Sequence, residues 1–289
     1  MEPRKLLLQL DVDPQPSAFD RIVALDAGAD DVLSYGGVTV PQVQSLVHGA
    51  IFTRGPKQLH RTAIFFGGSD ASAAESLLVE AQRHLLPQFG LRVSLMLDPN
   101  GANTTAAAAI HLVHQRLALT GARVLVLGTG PVGRRLALLA ANLGAQIRLG
   151  GIVLPEVEAV ASLVRERHPQ THVTTSITAT PTALSEALAD RQIVLAAGPA
   201  GKQLLAPEQW QAASELRILA DLNAVPPLGI DGVKVSDAGQ ERDGRCFFGA
   251  LGIGQLKMKL HQEAIARLFT RNDLVLDETA MLELASETG

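Results

Sequence analysis

RVLVLGTGPVGRRLALLAANLGAQIRL, residues 123–149, joins a short apolar strand to an amphipathic helix through a glycine-rich loop. Gly128, Gly130 and Gly133 form the pattern G-x-G-x-x-G in that loop. The first glycine permits a tight turn, the second lets the backbone approach a pyrophosphate, and the third allows close packing of helix on strand. The stretch therefore predicts a dinucleotide site, with the amides at the helix start facing the diphosphate. The alternative is a glycine-rich turn of an α/β fold that holds no ligand.

Strand-like and helix-like runs alternate on both sides of this loop, which is typical of parallel sheets covered by helices. We place a domain boundary between residues 103 and 121. The prediction is an α/β fold, with an N-terminal α/β substrate domain over residues 1–110 and a Rossmann-type doubly wound parallel sheet over residues 111–269. We expect a C-terminal helix over residues 270–289 to complete the N-terminal domain, because chain ends often pack together.

Three local expectations concern the edges of these domains. SYGGVT, residues 34–39, has the composition of a turn. The helix that carries the lysines of GQLKMKLH is expected to begin near Ile253. DLVLDETAMLELASE, residues 273–287, is expected to form one closing helix.

Composition disfavours several classes of function. The 289 residues are 47% hydrophobic, 19% charged and 3% aromatic, with a net charge of -4. Nothing in this balance favours nucleic acid or an anionic membrane as a partner. The single cysteine, Cys246, rules out an intrachain disulfide and a cysteine-based zinc site. No apolar run reaches the ~18 residues of a membrane helix or forms a signal-peptide core, so we expect a cytoplasmic protein.

No metal site is predicted from the pattern of possible ligands. His111 and His114 share a helix face, but no third ligand follows at a suitable spacing. Asp11 and Asp13 at a strand end resemble a metal pair only superficially.

Eight segments together resemble one family, the bacterial methylene-tetrahydromethanopterin dehydrogenases and their close relatives that act on methylene-tetrahydrofolate. The segments are DVDPQPSAFD, SYGGVT, TRGPK, TAIFFGG, MLDPNGANTTAAA, LGTGPVG, ADLNAVPPLGI and FGALGIGQLKMKLH. The resemblance implies a pterin-binding N-terminal domain, a Rossmann domain, no metal, and a homo-oligomer such as a trimer or hexamer. It also implies oxidation of a methylene bridge on a reduced pterin to a methenyl group, with hydride transfer to NADP or NAD.

One departure from the family concerns the cofactor. The second Rossmann strand ends in Arg148–Ile152 without the acid or basic pair that would distinguish NAD from NADP. NADP-specific relatives carry an Arg-Lys pair where this chain has Ile152 and Val153. A 2′-phosphate would lose charge-assisted hydrogen bonds worth about 1.5–3 kcal/mol each. We therefore expect relaxed or NAD-leaning specificity. Arg148 is either a phosphate contact or a solvent-facing strand residue.

A helical wheel places Lys257 and Lys259 on different faces of the helix. With Leu256 at zero, the apolar residues spread over about 0–220°, Lys257 falls at about 100° and Lys259 at about 300°. Lys257 therefore lies on the apolar face, and we predict that it serves the site. The alternative is snorkelling or a structural ion pair. Because hydride removal leaves a cation, an ammonium would oppose the charge. Lys257 fits better as a group that orients the pterin. It could do so through a hydrogen bond to the pterin carbonyl or to an adjacent water, or as a neutral amine.

The loop LDPNGANTT follows a strand and precedes a helix, the place where α/β sites collect. We predict catalytic roles for Asp98 and Thr105 and substrate contacts for Asn100 and Asn103. The alternative is that Asn103 or Thr104 only caps the next helix.

DPQPSAFD supplies two further substrate candidates. Phe19 could stack on the pterin and Asp20 could accept from its amino groups; alternatively Phe19 is core and Asp20 favours a helix start. Tyr35, in a neighbouring loop, is a third substrate candidate. Arg54 and Lys57, also in neighbouring loops, could meet the acidic tail of a carrier; the alternative is a solvated loop.

The candidate cofactor contacts all lie at the ends of predicted Rossmann strands. They are Gly128, Thr129, Gly130, Pro131, Val132, Gly133, Gly151, Ile152, Ala197, Gly198 and Asn223. The alternatives to the main prediction are a methylene-tetrahydrofolate dehydrogenase with NADP, a shikimate-type Rossmann dehydrogenase, and a nucleotide-sensing binding protein.

Overall fold

The computed structural model describes residues 2–288, which form twelve strands and ten α-helices. In chain order these are β1 (Leu6–Asp11), α1 (Ala18–Asp26), β2 (Asp31–Tyr35), α2 (Val40–Ile51), β3 (Thr62–Gly67), α3 (Ala71–His84), β4 (Ser94–Leu97), α4 (Ala102–Arg116), β5 (Arg123–Leu127), α5 (Pro131–Asn142), β6 (Gln146–Gly151), α6 (Leu154–Arg167), β7 (Val173–Ile177), α7 (Pro181–Leu188), β8 (Ile193–Ala196), α8 (Pro207–Ala212), β9 (Ile218–Asp221), β10 (Ala238–Arg242), β11 (Arg245–Phe248), α9 (Ala250–Leu268), β12 (Val275–Leu276) and α10 (Glu278–Thr288). Three short 3₁₀ helices cover Pro56–Arg61, Pro87–Phe89 and Pro99–Gly101.

The first of two compact units contains residues 2–104 and Met258–Thr288. Its sheet has five parallel strands in the order β12-β4-β3-β1-β2. β3 is buried at all six positions, as expected for a parallel strand covered on both faces. Local signals fix the helix starts: Ser17 accepts from the amide of Asp20, and Asp70 accepts from the amides of Ser72 and Ala73.

The second unit is the continuous stretch Thr105–Lys257. Its sheet has the strand order β10-β11-β9-β8-β5-β6-β7, and every pair is parallel except β10 with β11. Without the edge strand β10, this is the doubly wound order. Successive strands are added on one side of β5 up to β7, and the next strands, from β8 on, are added on its other side. Ligands of such sheets bind beyond the carboxyl ends of the strands, at the point where the strand order reverses in this way.

The chain returns to the first unit inside α9, at Met258, whereas the sequence suggested a return after that helix. α9 also begins at Ala250, three residues before the expected start at Ile253. Its second half carries the fully buried His261, which packs on Phe65 of β3. This packing explains why the helix end belongs with the first sheet.

Two strands of the first unit were not expected. β2 takes in the first two residues of SYGGVT and pairs in parallel along β1, from Asp31 beside Leu6 to Tyr35 beside Leu10. The closing segment is not a single helix, because Val275 and Leu276 pair in parallel with β4 before α10 begins. In both cases tertiary pairing selects an extended conformation that local composition did not favour.

Among residues 2–288, no helix is both long and apolar enough to span a membrane.

Candidate functional site

A cavity of about 880 Å³ lies beyond the carboxyl ends of β5, β6 and β8 in the second unit. Four loop segments line most of it, residues 127–132, 150–153, 178–181 and 197–199. The cavity therefore occupies the position where the doubly wound order predicts a dinucleotide, and its volume suits a cofactor.

The three loop glycines differ in what surrounds them. A Cβ on Gly128, which has φ +111°, would lie 2.4 Å from the carbonyl oxygen of Ala197. A Cβ on Gly133 would lie 2.1 Å from the carbonyl oxygen of Gly128, so helix α5 packs directly on the loop. A Cβ on Gly130 would meet nothing within 4 Å, which leaves this side open to a diphosphate. Each glycine thus has the surroundings that the sequence pattern predicts.

Nine of the predicted cofactor contacts line this cavity. They are Gly128, Thr129, Gly130, Pro131, Val132, Gly151, Ile152, Ala197 and Gly198. Gly133 lies behind the loop, where it has the packing role just described. Asn223 is not among the lining residues.

Asn223 is instead engaged in the turn after β9. Its side-chain oxygen accepts from the amide of Val225 at 2.9 Å, and its side-chain nitrogen donates to the carbonyl of Pro227 at 3.1 Å. The neighbouring Asp221 accepts from the amides of Asn223 and Ile230, and burial raises the pKa of its carboxyl group. Both side chains fix the shape of this turn.

The charged residues among those lining the cavity are Glu156 and Lys202. The hydroxyl of Thr129 donates to Glu156 at 3.2 Å, so the carboxylate lies against the glycine loop. Ile152 and Val153, at the end of β6, are 71% and 42% exposed. A 2′-phosphate at that strand end would therefore meet apolar side chains.

Arg148 does not supply the missing cation. Its guanidinium donates to the carbonyl of Ala187 at 2.9 Å and lies 3.6 Å from the carboxylate of Asp190. Burial, and then the neighbouring Arg191, lowers the pKa of Arg148. The side chain therefore binds the end of α7, and it is neither of the two alternatives considered from the sequence.

A second group of predicted residues converges in the first unit, at the carboxyl ends of β1 and β4. Asp98 is fully buried and accepts from the amides of Asn103 and Thr104 at 2.9 and 3.1 Å, and from the Thr104 hydroxyl at 2.7 Å. Asn103 in turn donates through its side chain to the carbonyl of Leu97 at 2.6 Å. Asp98 thus satisfies the free amides at the start of α4, a role that the sequence suggested for Asn103 or Thr104.

His261, which the sequence analysis did not consider, lies between two of the predicted carboxylates. Its Nδ1 is 3.4 Å from Asp98 Oδ2, and its Nε2 is 3.9 Å from Asp20 Oδ1. The ring stacks on Phe65, with centroids 5.9 Å apart, and meets the edge of Phe19 at 6.1 Å. The helical wheel contained the signal, because His261 falls at about 140°, inside the apolar arc.

Phe19 and Tyr35 are both partly open to solvent, with 48% and 40% of their surface exposed. Tyr35 lines a separate cavity of about 340 Å³ together with Arg54. Arg54 donates to the carbonyl of Arg61, and burial lowers its pKa. Tyr35 is therefore not part of the group around His261.

Lys257 is half-buried and Lys259 is exposed, the difference that the helical wheel predicts. Thr105 is also half-buried, and Asn100 adopts a left-handed conformation with φ +50°. Among residues 2–288, no three or more His, Cys, Asp or Glu side chains are grouped so that they could hold a metal ion.

Comparison with known proteins gives concordant results. The family model described as methylene-tetrahydromethanopterin dehydrogenase, N-terminal, matches residues 18–100. A Methylorubrum extorquens protein named bifunctional protein MdtA is 44% identical over 98% of this chain and 99% of its own length. A second protein of that organism, named NAD(P)-dependent methylenetetrahydromethanopterin dehydrogenase, is 32% identical over 98% of both chains.

Among solved structures, a shikimate 5-dehydrogenase from Listeria monocytogenes in complex with shikimate and NAD aligns with a TM-score of 0.54 and 14% identity. The alignment covers 97% of this chain and 96% of the other. At this identity the likeness supports the Rossmann-type fold alone. The two Methylorubrum relatives extend over nearly the whole sequence, and on that basis the chain belongs to the methylene-tetrahydromethanopterin dehydrogenase family.

Proposed function

We propose that this protein oxidises methylene-tetrahydromethanopterin to the methenyl form and transfers the hydride to NAD+ or NADP+. The near-full-length similarity to the family carries the proposal, because the 44% identity extends through both units. The relative with 32% identity is named for this carrier and for either nicotinamide. The glycine-lined cavity beyond β5 offers a fitting place for the dinucleotide.

The reaction breaks one C–H bond of the methylene bridge, and the hydride leaves with the bonding electron pair. A bound oxidised nicotinamide supplies the acceptor. The carbon that remains shares its positive charge with two nitrogen atoms, so no separate proton transfer is needed. The protein therefore aligns the pterin ring with the nicotinamide ring and excludes competing geometries. Such alignment can account for a large part of a rate enhancement.

The proposed substrate roles are those that suit the chemistry of each side chain. Phe19 offers an exposed ring face for stacking, and the carboxylate of Asp20 beside it can accept from the pterin amino groups. We assign Lys257 to orienting the pterin ring and Thr105 to the reacting end. Tyr35, in its separate cavity, and Asn100 are further proposed substrate contacts, and Asn103 acts indirectly through the shape of its loop.

A single spectrophotometric assay tests the proposal, with methylene-tetrahydromethanopterin and methylene-tetrahydrofolate each combined with NAD+ and NADP+. We expect the highest kcat/KM with the methanopterin carrier. A higher value with the folate carrier would support the alternative enzyme. Absence of turnover with both carriers would contradict the proposal.

The cofactor preference is expected to lean toward NAD+ or to be relaxed. The lining of the cavity carries Glu156 beside the glycine loop, while Ile152 and Val153 occupy the end of β6. A carboxylate near a 2′-phosphate would be repulsive, and apolar side chains cannot replace the missing hydrogen bonds. Steady-state kinetics with both nicotinamides measure the preference, and a hundredfold preference for NADP+ would contradict it.

The double variant Ile152→Arg/Val153→Lys tests the cause of that preference. Both native side chains are exposed, so the substitutions leave the core intact. We expect kcat/KM for NADP+ to rise relative to NAD+ by about tenfold, or ~1.4 kcal/mol, because exposed cations lose part of their effect to solvent. Ile152→Gln/Val153→Gln, which adds length without charge, is the matched control and should leave the ratio unchanged.

We also propose that the protein works as a cytoplasmic homo-oligomer, a trimer or hexamer. β2 is an edge strand, and Leu33 and Tyr35 on it are 39% and 40% exposed. The apolar side chains of Ile22 and Leu25 on α1 are exposed at 58% and 44%. Apolar side chains at a sheet edge favour contact with another chain. Light scattering should give a mass of three or six chains, and a monomer at micromolar concentration would contradict the proposal.

A further inference from the structure

We propose that His261 is a positioning residue, which holds the carboxylate of Asp20 in place for the pterin by linking it to Asp98. This inference rests on the proposed function, since Asp20 is assigned there to the pterin amino groups. It adds a residue for which the sequence suggested no role. The elements involved, α1, the end of β4 and the second half of α9, all belong to the first unit.

The Asp98 end of this link is rigid. Its carboxylate is fully buried and is held by two backbone amides and the Thr104 hydroxyl at 2.7–3.1 Å. These three hydrogen bonds fix the orientation of the carboxylate. His261 Nδ1 lies 3.4 Å from Oδ2 of the same carboxylate. A histidine placed beside such a fixed anion has a defined orientation.

Two aromatic rings pack against the imidazole of His261. Phe65 stacks on it at an interplanar angle of 26°, and Phe19 meets it at 76°. The imidazole has no exposed side-chain surface. Nε2, at the other end of the imidazole, lies 3.9 Å from Asp20 Oδ1. Both distances are within the range of an ion pair, and a positive charge on this buried ring would interact strongly with both carboxylates because water is excluded.

The geometry favours a protonated ring. A neutral imidazole has one N–H and one lone pair, so one of the two carboxylates would face a lone pair. An imidazolium carries a positive charge that attracts both carboxylates. The charged groups around the ring are Asp20 from α1 and Asp98 from the end of β4, and Lys257 lies one turn earlier on α9. Phe19 and Phe65, from α1 and β3, add no titratable group.

The arrangement has a consequence for Asp20. Two carboxylates on either side of one neutral buried ring would be costly, and a protonated His261 offsets that cost. His261 thus allows Asp20 to remain ionised and correctly oriented.

The principal test is a double-mutant cycle with His261→Leu and Asp20→Asn, measured by steady-state kinetics. We expect His261→Leu to raise KM for the methylene carrier about tenfold and to lower kcat about tenfold. KM for the nicotinamide should change less than twofold, because the dinucleotide cavity lies in the second unit. In the Asp20→Asn background, His261→Leu should change kcat and the KM for the methylene carrier by less than a further twofold. Equal effects in both backgrounds would overturn the proposal.

Conservative variants separate positioning from folding. His261→Gln can place a donor near the position of Nε2 and should stay within about threefold of the native kcat/KM. His261→Asn reaches Asp98 only and should resemble His261→Leu. If the Asn variant is as active as the Gln variant, the link to Asp20 is wrong. His111, a second buried histidine on a helix, is the matched control, and His111→Gln should change kcat less than twofold.

A measurement without substrate keeps this inference separate from the proposed activity. In the ¹⁵N spectrum of the imidazole, we expect both nitrogens of His261 to be protonated at pH 7 in the native protein. Asp20→Asn should move the ring toward the neutral form. A neutral ring in the native protein would overturn the link even if the enzyme is active. A protonated ring that responds to Asp20→Asn, in a protein that turns over neither carrier, would overturn the proposed activity alone.

Discussion

Lys257→Ala is expected to lower kcat by about 100-fold, or ~2.7 kcal/mol of transition-state stabilisation. Lys257 is half-buried and falls among the apolar positions of the helical wheel of α9. In the proposed reaction the rings must be aligned for hydride transfer, and a misplacement of about 1 Å can cost a factor of 10². Single-turnover kinetics with the methylene carrier measure the hydride step directly.

Lys259→Ala is the matched control for this prediction. Lys259 is two residues away on the same helix and exposed, so its removal should leave kcat within twofold of the native value. Thermal unfolding of both variants checks that the helix remains intact. Comparable activity of the two variants would show that Lys257 has no special role in the reaction.

Gly133→Ala is expected to weaken dinucleotide binding by at least tenfold and to destabilise the second unit. The added Cβ would lie 2.1 Å from the carbonyl oxygen of Gly128, and the conflicting atom is backbone, which cannot rotate away. Either α5 or the glycine loop must move, at a cost of about 1–3 kcal/mol. In the proposed complex the amides of this loop bind the diphosphate, so calorimetric titration with NAD+ and NADP+ should show the loss for both.

Gly49→Ala provides the corresponding control. Gly49 also lies within a helix, α2, but it is exposed and its Cβ would meet nothing within 4 Å. Alanine should stabilise this helix by up to ~1 kcal/mol and leave dinucleotide affinity unchanged. If the two variants bind the cofactor equally well, the packing account of Gly133 is wrong.

The sequence was most informative where function depends on neighbouring residues. The spacing of Gly128, Gly130 and Gly133 predicted the turn, the open side of the loop and the close approach of α5, because these features are set within one strand, loop and helix. The wheel of α9 likewise predicted that Lys257 is less exposed than Lys259.

The sequence was least informative where distant segments meet. His261 gains its surroundings from α1, β3 and the end of β4, and no local pattern shows that two carboxylates approach one ring. β12 is only two residues long and exists because β4 has a free edge beside it. The side chains of Asn103 and Asn223 suit a ligand contact by type, but turn geometry engages both of them.

The division of the first unit into two sequence segments affects the order in which the protein can fold. β12 and α10, with the buried Met281 and Leu284, are made after the whole of Thr105–Lys257. At ~5–20 residues per second, a ribosome completes that stretch in roughly eight to thirty seconds. Throughout this interval β4 has no strand at its outer edge, and at its end the second unit is complete in sequence while β12 is still to be made. Synthesis thus favours a dinucleotide unit that folds first and a first unit whose sheet is completed last.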